Sequence, residues 1–244
     1  VALTGTDVYA ERGLDALARS SLDKASRIVV LQREALRALN GARREKTRVI
    51  LQSAVRFSGR VATPKNYFSV VVVGHLRPVK DPLLPALAAR MLPAGSRVRI
   101  AHYGASLDTR LARRARQESK ENPRWRWRGE RSHEQMLRIL AGAHLFVQTS
   151  LAEGGSIAMS EAIVSGRPIL STRIPGAIGM LGREHRGFFE TGDARALANL
   201  LIRCERDSRF RRDLSTASTR LAPQFAPERE RAAWRSLLTE LELG

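Results

Sequence analysis

Two stretches of the chain carry residue types whose spacing suits the binding of an anionic group. The first is Thr149-Ser150-Leu151-Ala152-Glu153-Gly154-Gly155-Ser156, followed by a predicted helix containing Glu161 and then by Ser165-Gly166-Arg167-Pro168. Adjacent glycines just ahead of a helix let the backbone approach an anion closely, and the free N–H groups and dipole of the helix start stabilise its charge. Glu161 lies eight residues after Glu153, near two helical turns, so both carboxylates are expected to project toward one side. On a helix face that also carries Ala158, Met159, Ala162 and Ile163, a carboxylate needs hydrogen-bond donors, and ribose hydroxyls would supply them. The plainer reading is a Gly-Gly turn, a Glu favoured by the helix dipole and a second, solvated Glu. A short motif alone favours that plainer reading, and what surrounds it changes the balance.

The second stretch is Val73-Gly74-His75-Leu76-Arg77-Pro78-Val79-Lys80-Asp81, at the C-terminal end of a predicted buried strand over residues 68–73. Ligands of open α/β sheets bind at that edge. Lys80 and Arg77 are cations able to neutralise a diphosphate, and so to stabilise the charge that develops on a departing nucleotide. Read structurally, the same stretch is a polar loop stopped by Pro78, and alone it does not decide between the two.

The elements that must position these loops follow from hydrophobic periodicity, in which short β-branched runs alternate with longer amphipathic stretches. The first series predicts a strand at residues 1–3, a helix over 14–25, a strand at 27–31, a short helix at 34–39 and a strand at 48–51. Residues 53–66, with Ser, Gly, Thr and Pro and little apolar pattern, read as a linker. The second series predicts strands at 68–73, 98–103, 125–127, 145–148, 168–170 and 188–189. Helices are expected at 82–90, 107–122, 133–141, 157–164 and 194–206, which makes one complete Rossmann-like domain. A last helix over 228–241 carries Trp234, Leu237 and Leu238 on one face. The expected fold is therefore α/β, with two Rossmann-like units. Residues 1–60 form an incomplete first unit, 61–226 the second, and 227–244 a helix returning toward the first.

Composition narrows the function classes. A chain of 244 residues, 43% hydrophobic and 27% charged, can bury one or two ordinary cores. No apolar run is long enough to span a bilayer and no secretory leader is visible at the start, so no membrane partner is expected and the cytoplasm is the expected location. The single Cys204 excludes an internal disulfide and a multi-cysteine metal site, and its expected role is packing within a helix. The formal charge of +18 raises nucleic acid as a partner. Of the 42 basic residues only five are Lys, and the many Arg are spread along the chain, with neither a basic tail nor an aromatic-interleaved stripe. They read as solvated faces, the run Arg113, Arg114, Arg116, Lys120 being one, and no specific nucleic acid is expected. No compact set of His, Cys and Asp is visible, so no metal and no bound cofactor are expected.

Taken together, Gly74 to Lys80, Gly129-Glu130 after a strand, Thr149-Ser150, Glu153-Gly154-Gly155, Glu161-Ala162 and Gly166-Arg167-Pro168 resemble the family-4 retaining glycosyltransferases, which have the GT-B architecture of two Rossmann-like domains. The pieces occur in family order between residues 70 and 176. The resemblance implies a nucleotide-sugar donor bound by Gly74, His75, Lys80, Gly129, Glu130, Glu153, Gly154, Gly155, Ser156 and Glu161. Lys80 would contact the diphosphate and Glu161 the ribose, while Glu153 with Gly154 and Gly155 would meet the sugar and phosphate and the Gly129 loop would lie near the base. Glu153, Lys80 and Arg77 would then carry catalysis. His75 stands where such enzymes commonly have Arg, and Arg77 is the residue able to compensate.

A narrower resemblance rests on Leu3-Thr4-Gly5-Thr6-Asp7-Val8-Tyr9, Val29-Val30-Leu31-Gln32, Gln52-Ser53-Ala54, the Val73 to Pro82 stretch and Arg173-Ile174-Pro175-Gly176. These segments look like the selenosugar synthases of selenoneine biosynthesis. That family joins selenium from selenophosphate to the anomeric carbon of a sugar supplied by a UDP-sugar such as UDP-N-acetylglucosamine, releasing UDP. The implied substrates are a UDP-sugar and selenophosphate, with Thr4, Gly5, Thr6, Asp7 and Arg173 on the acceptor side. A soft anionic nucleophile needs less help from a general base than an alcohol does. The alternatives are a UDP-sugar transferase with a hydroxyl acceptor and a basic nucleic-acid-binding module without turnover.

Overall fold

A computed structural model of the chain describes residues 1–5 and 16–242. Its larger sheet has six parallel strands in the order β6-β5-β4-β7-β8-β9. They are β4 (Phe68–Val73), β5 (Val98–Tyr103), β6 (Trp125–Trp127), β7 (Leu145–Gln148), β8 (Ile169–Thr172) and β9 (Phe188–Phe189). The near-continuous apolar run of β4 is what a strand covered on both faces requires. Val70 and Val72 pack with Val98, Ile100 and Trp125 on one face, against α3 (Leu84–Arg90), α4 (Thr109–Glu121), α8 (Ala194–Arg206) and α9 (Ser208–Leu221). Val71 points the other way and packs with Phe146 and Ile169 under α5 (His133–Ala141), α6 (Ile157–Val164) and α7 (Pro175–Leu181). The strand order reverses between β4 and β7, which opens a crevice at their C-terminal ends.

The smaller sheet has three parallel strands, β1 (Ala2–Leu3), β2 (Ile28–Val30) and β3 (Thr47–Val49), with Leu22 of α1 (Ala16–Lys24) packed on Leu3, Ile28 and Val30. α10 (Pro227–Glu242) crosses to this sheet and buries Leu237 against Val29 and Ile50. Its Glu240 pairs with both Arg27 and Arg48, and Glu230 accepts the Ser53 amide at 2.8 Å. Trp234 and Leu238, expected on the same face as Leu237, line a pocket with it against Val1, Ala2 and Val29 and are 37% and 56% exposed.

Several elements differ from the periodicity reading. The expected helix at 34–39 is a tight 3-10 turn over Arg33–Ala38, because the Gln32 side chain accepts from the amides of Glu34 and Ala35 and holds the turn open to that geometry. α2 (Gly41–Glu45), α7 and α9 were not legible as helices. In α9 the buried row is Phe210, Leu214 and Ser218, and Ser218 counts as interior only because its hydroxyl donates to the Arg167 carbonyl at 2.7 Å. Cys204 is buried in α8 as expected, and burial pushes its thiol up to about 12. Arg113, Arg114 and Lys120 are exposed on α4, while Arg116 lies over the Trp127 ring. Among the described residues no helix is long and apolar enough to cross a membrane.

Candidate functional site

After β4 the chain runs through Gly74, His75 and the fully buried Leu76 into a one-turn 3-10 helix over Pro78–Lys80. It leaves through Asp81, whose φ of 40° is left-handed. That turn is fixed from β7: the Thr149 hydroxyl contacts the carbonyls of Lys80 and Asp81 at 2.9 and 3.0 Å, and the Leu151 amide donates to the Val79 carbonyl at 2.8 Å. The Lys80 ammonium is thereby delivered to Glu153, with which it forms a hydrogen-bonded ion pair. The same Glu153 oxygen accepts the Ser150 hydroxyl at 2.7 Å, and the Thr172 hydroxyl of β8 donates to the Ser150 carbonyl at 2.6 Å. Glu153 is only 8% exposed. A buried carboxylate of this kind persists because it is both paired and hydrogen-bonded.

Four distant segments meet the turn that follows. A Cβ on Gly154 would lie 2.8 Å from the carbonyl oxygens of Thr4 and Gly5, so the loop after β1 touches this backbone directly. At Gly155 the corresponding neighbours are the Leu31 side chain at 2.8 Å and Gln52 Oε1 at 3.4 Å, and at Gly176 the Glu153 carbonyl at 2.1 Å. Thr6 and Asp7 lie outside the described residues.

A pocket of about 260 Å³ opens between the two loops, lined by Gly74, His75, Arg77 and Lys80 on one side and by Gly155 and Ser156 on the other. Tyr103 and Arg131, neither foreseen from the sequence, close it. Ser156 caps α6, accepting from the Met159 amide at 3.3 Å, so the positive end of that helix faces the pocket. His75 accepts the Ala105 amide through Nδ1 at 3.0 Å. The Gly74 carbonyl bonds the buried His102 at 2.8 Å, and burial lowers that imidazole to about 4, so it is neutral and donates. Gly104, with φ 150°, is needed here: a Cβ on it would sit 2.1 Å from the Gly74 oxygen. Its amide donates to Gly129, whose φ is 69°, and Glu130 beyond it is exposed. A larger groove of about 780 Å³ lies beside this pocket over β5 and β6, away from Lys80 and Glu153. The smaller pocket is the candidate site because the loop ends, the cations and the helix start converge there.

The helical-spacing argument that relates Glu153 to Glu161 does not apply, because α6 begins only at Ile157 and Glu153 sits in the turn before it. Glu161, 4% exposed, instead holds His133 Nε2 at 2.7 Å across from the start of α5. Burial raises the Glu161 pKa and the contact with His133 works against that rise. Arg173 is not brought to the cluster: its guanidinium lies 5.0 Å over the Phe188 ring, where stacking holds it on the outer strand β9. His133 had no signal in the sequence, since only tertiary packing places α5 beside α6. Thr149 and Ser150 stood within the motif, but their roles depend on where Lys80 lands. Among the described residues no group of three or more His, Cys, Asp or Glu is placed to hold a metal.

The family model for glycosyl transferases group 1 matches residues 56–221, and the chain belongs to that family. No curated protein matches it. Among solved structures it is similar to Anabaena HepE in complex with UDP, at 18% identity and a TM-score of 0.82, covering 100% of this chain and 72% of that one. It is also similar to sucrose-phosphate synthase from Thermosynechococcus elongatus, at 21% identity and a TM-score of 0.78, covering 98% of this chain and 65% of that one. The fold is the GT-B fold of these enzymes.

Proposed function

We propose that this glycosyltransferase uses a UDP-sugar as donor and selenophosphate as acceptor, forming a sugar C–Se bond. The observation that carries the reading is the convergence on residues 153–155. Thr4-Gly5, Leu31, Gln52 and Gly176, which belong to the segments resembling selenosugar synthases, all contact that turn, beside a pocket lined by Arg77, Lys80 and Arg131. HepE was crystallised with UDP and with UDP-glucose, which supports the donor class. In this reading Lys80, Arg77 and the start of α6 at Gly155-Ser156 neutralise the diphosphate, Glu161 accepts the ribose hydroxyls, and the Gly74-His75 and Gly129-Glu130 loops flank the nucleotide. Glu153, held by Lys80 and Ser150, positions the sugar. The bond from the anomeric carbon to the β-phosphate oxygen breaks and its electron pair leaves with UDP, while a selenium lone pair forms the new bond. Thr4 and Gly5, rather than Arg173, are the acceptor-side residues this geometry favours. The reading goes with a division of the chain near residues 60 and 226 and with a cytoplasmic setting.

The test uses the full-length enzyme with UDP-N-acetylglucosamine and freshly made selenophosphate, scored by mass spectrometry for the selenium isotope pattern in a sugar product and for released UDP. Parallel reactions contain phosphate, thiophosphate and simple sugars, with and without a chelator. A clear preference for a hydroxyl acceptor removes selenophosphate and leaves the transferase; no use of any UDP-sugar removes the donor assignment.

A further inference from the structure

The larger groove lies over β5 and β6 beside α5. Alternation along β5 and β6 sends Val98, Ile100 and Trp125 into the core on one face. Arg99, Ala101, Tyr103 and Arg126 line the groove on the other, together with Arg138 and Ile139 of α5 and with Val61, Ala62 and Pro64. Six arginines surround the space: Arg99, Arg124, Arg126, Arg128, Arg131 and Arg138. Among the described residues no carboxylate lines it. None of the six is in an ion pair among the described residues, whereas arginines elsewhere find acids, as in Arg90 with Glu118, Arg43 with Asp23 and Arg186 with Asp213.

Two of the six guanidiniums are each anchored by more than one backbone carbonyl. Arg124 donates to the carbonyls of Leu92, Pro93 and Ala94, and Arg126 to those of Ser119 and Asn122. Carbonyl contacts orient a guanidinium without cancelling its charge, and the six arginines together leave the groove strongly positive. Arg131 lies 5.9 Å over the Tyr103 ring, and Tyr67, 37% exposed, adds a second aromatic surface beside the buried Val71. An apolar and aromatic floor under a guanidinium rim suits a planar base carrying several phosphates, since the ring stacks and the phosphate oxygens accept forked N–H pairs. The volume of about 780 Å³ is in the range of small-molecule sites.

From this we infer that the groove over β5 and β6 is a second nucleotide site, distinct from the pocket beside Lys80, that takes a nucleoside polyphosphate. Tyr103 and Arg131 line both spaces, so the two sites adjoin. The inference does not depend on the acceptor or the sugar proposed above.

The experiment is a titration of the full chain with fluorescent mant-ATP and mant-GTP in the presence of saturating UDP, on the wild type and on the Arg99→Glu/Arg138→Glu variant. Arg99 is exposed and bonds only the neighbouring Val98 carbonyl, so folding should survive its reversal; Tyr67→Ala and a thermal melt provide a second check. We expect one nucleotide bound per chain beyond UDP, with affinity falling about tenfold or more in the double variant, as the loss of charge-assisted contacts requires, while UDP affinity stays within about twofold. Inorganic triphosphate should bind more weakly than the nucleotide, for want of the stacked base. Displacement of all nucleotide by UDP, or unchanged affinity in the double variant, would overturn the inference. So would a single-stranded RNA oligomer that binds more than about a hundredfold tighter than the mononucleotide, since the groove would then be reading a polymer. If UDP itself fails to bind, the donor assignment falls, and the dependence of nucleotide binding on Arg99 and Arg138 still decides this one.

Discussion

Glu153 and Glu161 stand close in sequence and are both buried, yet the protein holds them in opposite ways. Glu153 lies in the turn before α6 and is tied by Lys80 and Ser150, whose own positions are set by Thr149 and Thr172. Glu161 lies within α6 and is partnered by His133, whose side chain is 66% exposed. The first carboxylate is part of a closed hydrogen-bonded web joining β4, β7 and β8. The second is capped by a residue that solvent and ligand can reach. Burial makes each of them costly to leave alone, and the difference in partners marks Glu153 as a fixture of the site and Glu161 as a group ready to exchange one donor for another.

The largest break in this comparison should come from Lys80→Ala, which strands a buried carboxylate. Removing one partner of a buried pair costs about 3–5 kcal/mol. We expect a lowered melting temperature together with loss of donor turnover, and partial recovery of the melting temperature in Lys80→Ala/Glu153→Gln. Near-wild-type kcat/KM for the UDP-sugar would remove the pair from the site.

Glu161→Gln should act on the donor with less effect on the fold, by about 1.5–3 kcal/mol, the range for hydrogen bonds to a charged group. Its signature is a raised KM for the UDP-sugar and a smaller penalty with a donor lacking the ribose 2′-hydroxyl. Equal losses for both donors would separate Glu161 from the ribose.

Gly154→Ala tests the meeting of the two sheets. The added methyl falls against the backbone of Thr4 and Gly5, which has no rotamer by which to withdraw, so a strain of about 1–3 kcal/mol is expected. Donor affinity measured alone should change less than turnover, because the pocket beside Lys80 remains while the Thr4 side is pushed away.

The smallest effect belongs to His133→Ala, expected to stay within about tenfold in kcat/KM at neutral pH. Its readout is the pH profile. Burial raises the Glu161 pKa and His133 opposes that rise, so removing the imidazole lets it climb further. If donor binding needs the ionised carboxylate, activity is lost as pH falls through that value. The acid limb should therefore move to higher pH in the variant, and an unmoved limb would show that Glu161 does not titrate in the reaction.

Much of the larger sheet was legible because its strands are short, apolar and bounded by turn residues; all six expected strands are present, with end positions shifted at most slightly. In α9, one of the helices that escaped notice, the inward row is broken by Ser218. Of the site, the loops ending in Lys80 and Glu153 and the Gly154-Gly155 turn could be read, since small residues and charges at strand ends have few other uses. The helical argument for the Glu153 to Glu161 spacing does not hold, because Glu153 lies in the turn before α6 begins at Ile157.

The sequence by itself determined the alternation of strands and helices, the burial of β4 on both faces and the placing of cations and glycines at the crevice edge, since each depends on residue order over a few turns of chain. Only the tertiary structure decided the partners: Lys80 with Glu153, His133 with Glu161, Thr4-Gly5 against Gly154, Arg173 over Phe188, and six arginines around one groove. Each of those contacts joins residues from separate elements, and pairing across a fold is set by how buried surfaces pack and by which donors a desolvated charge can reach, neither of which is carried by local spacing.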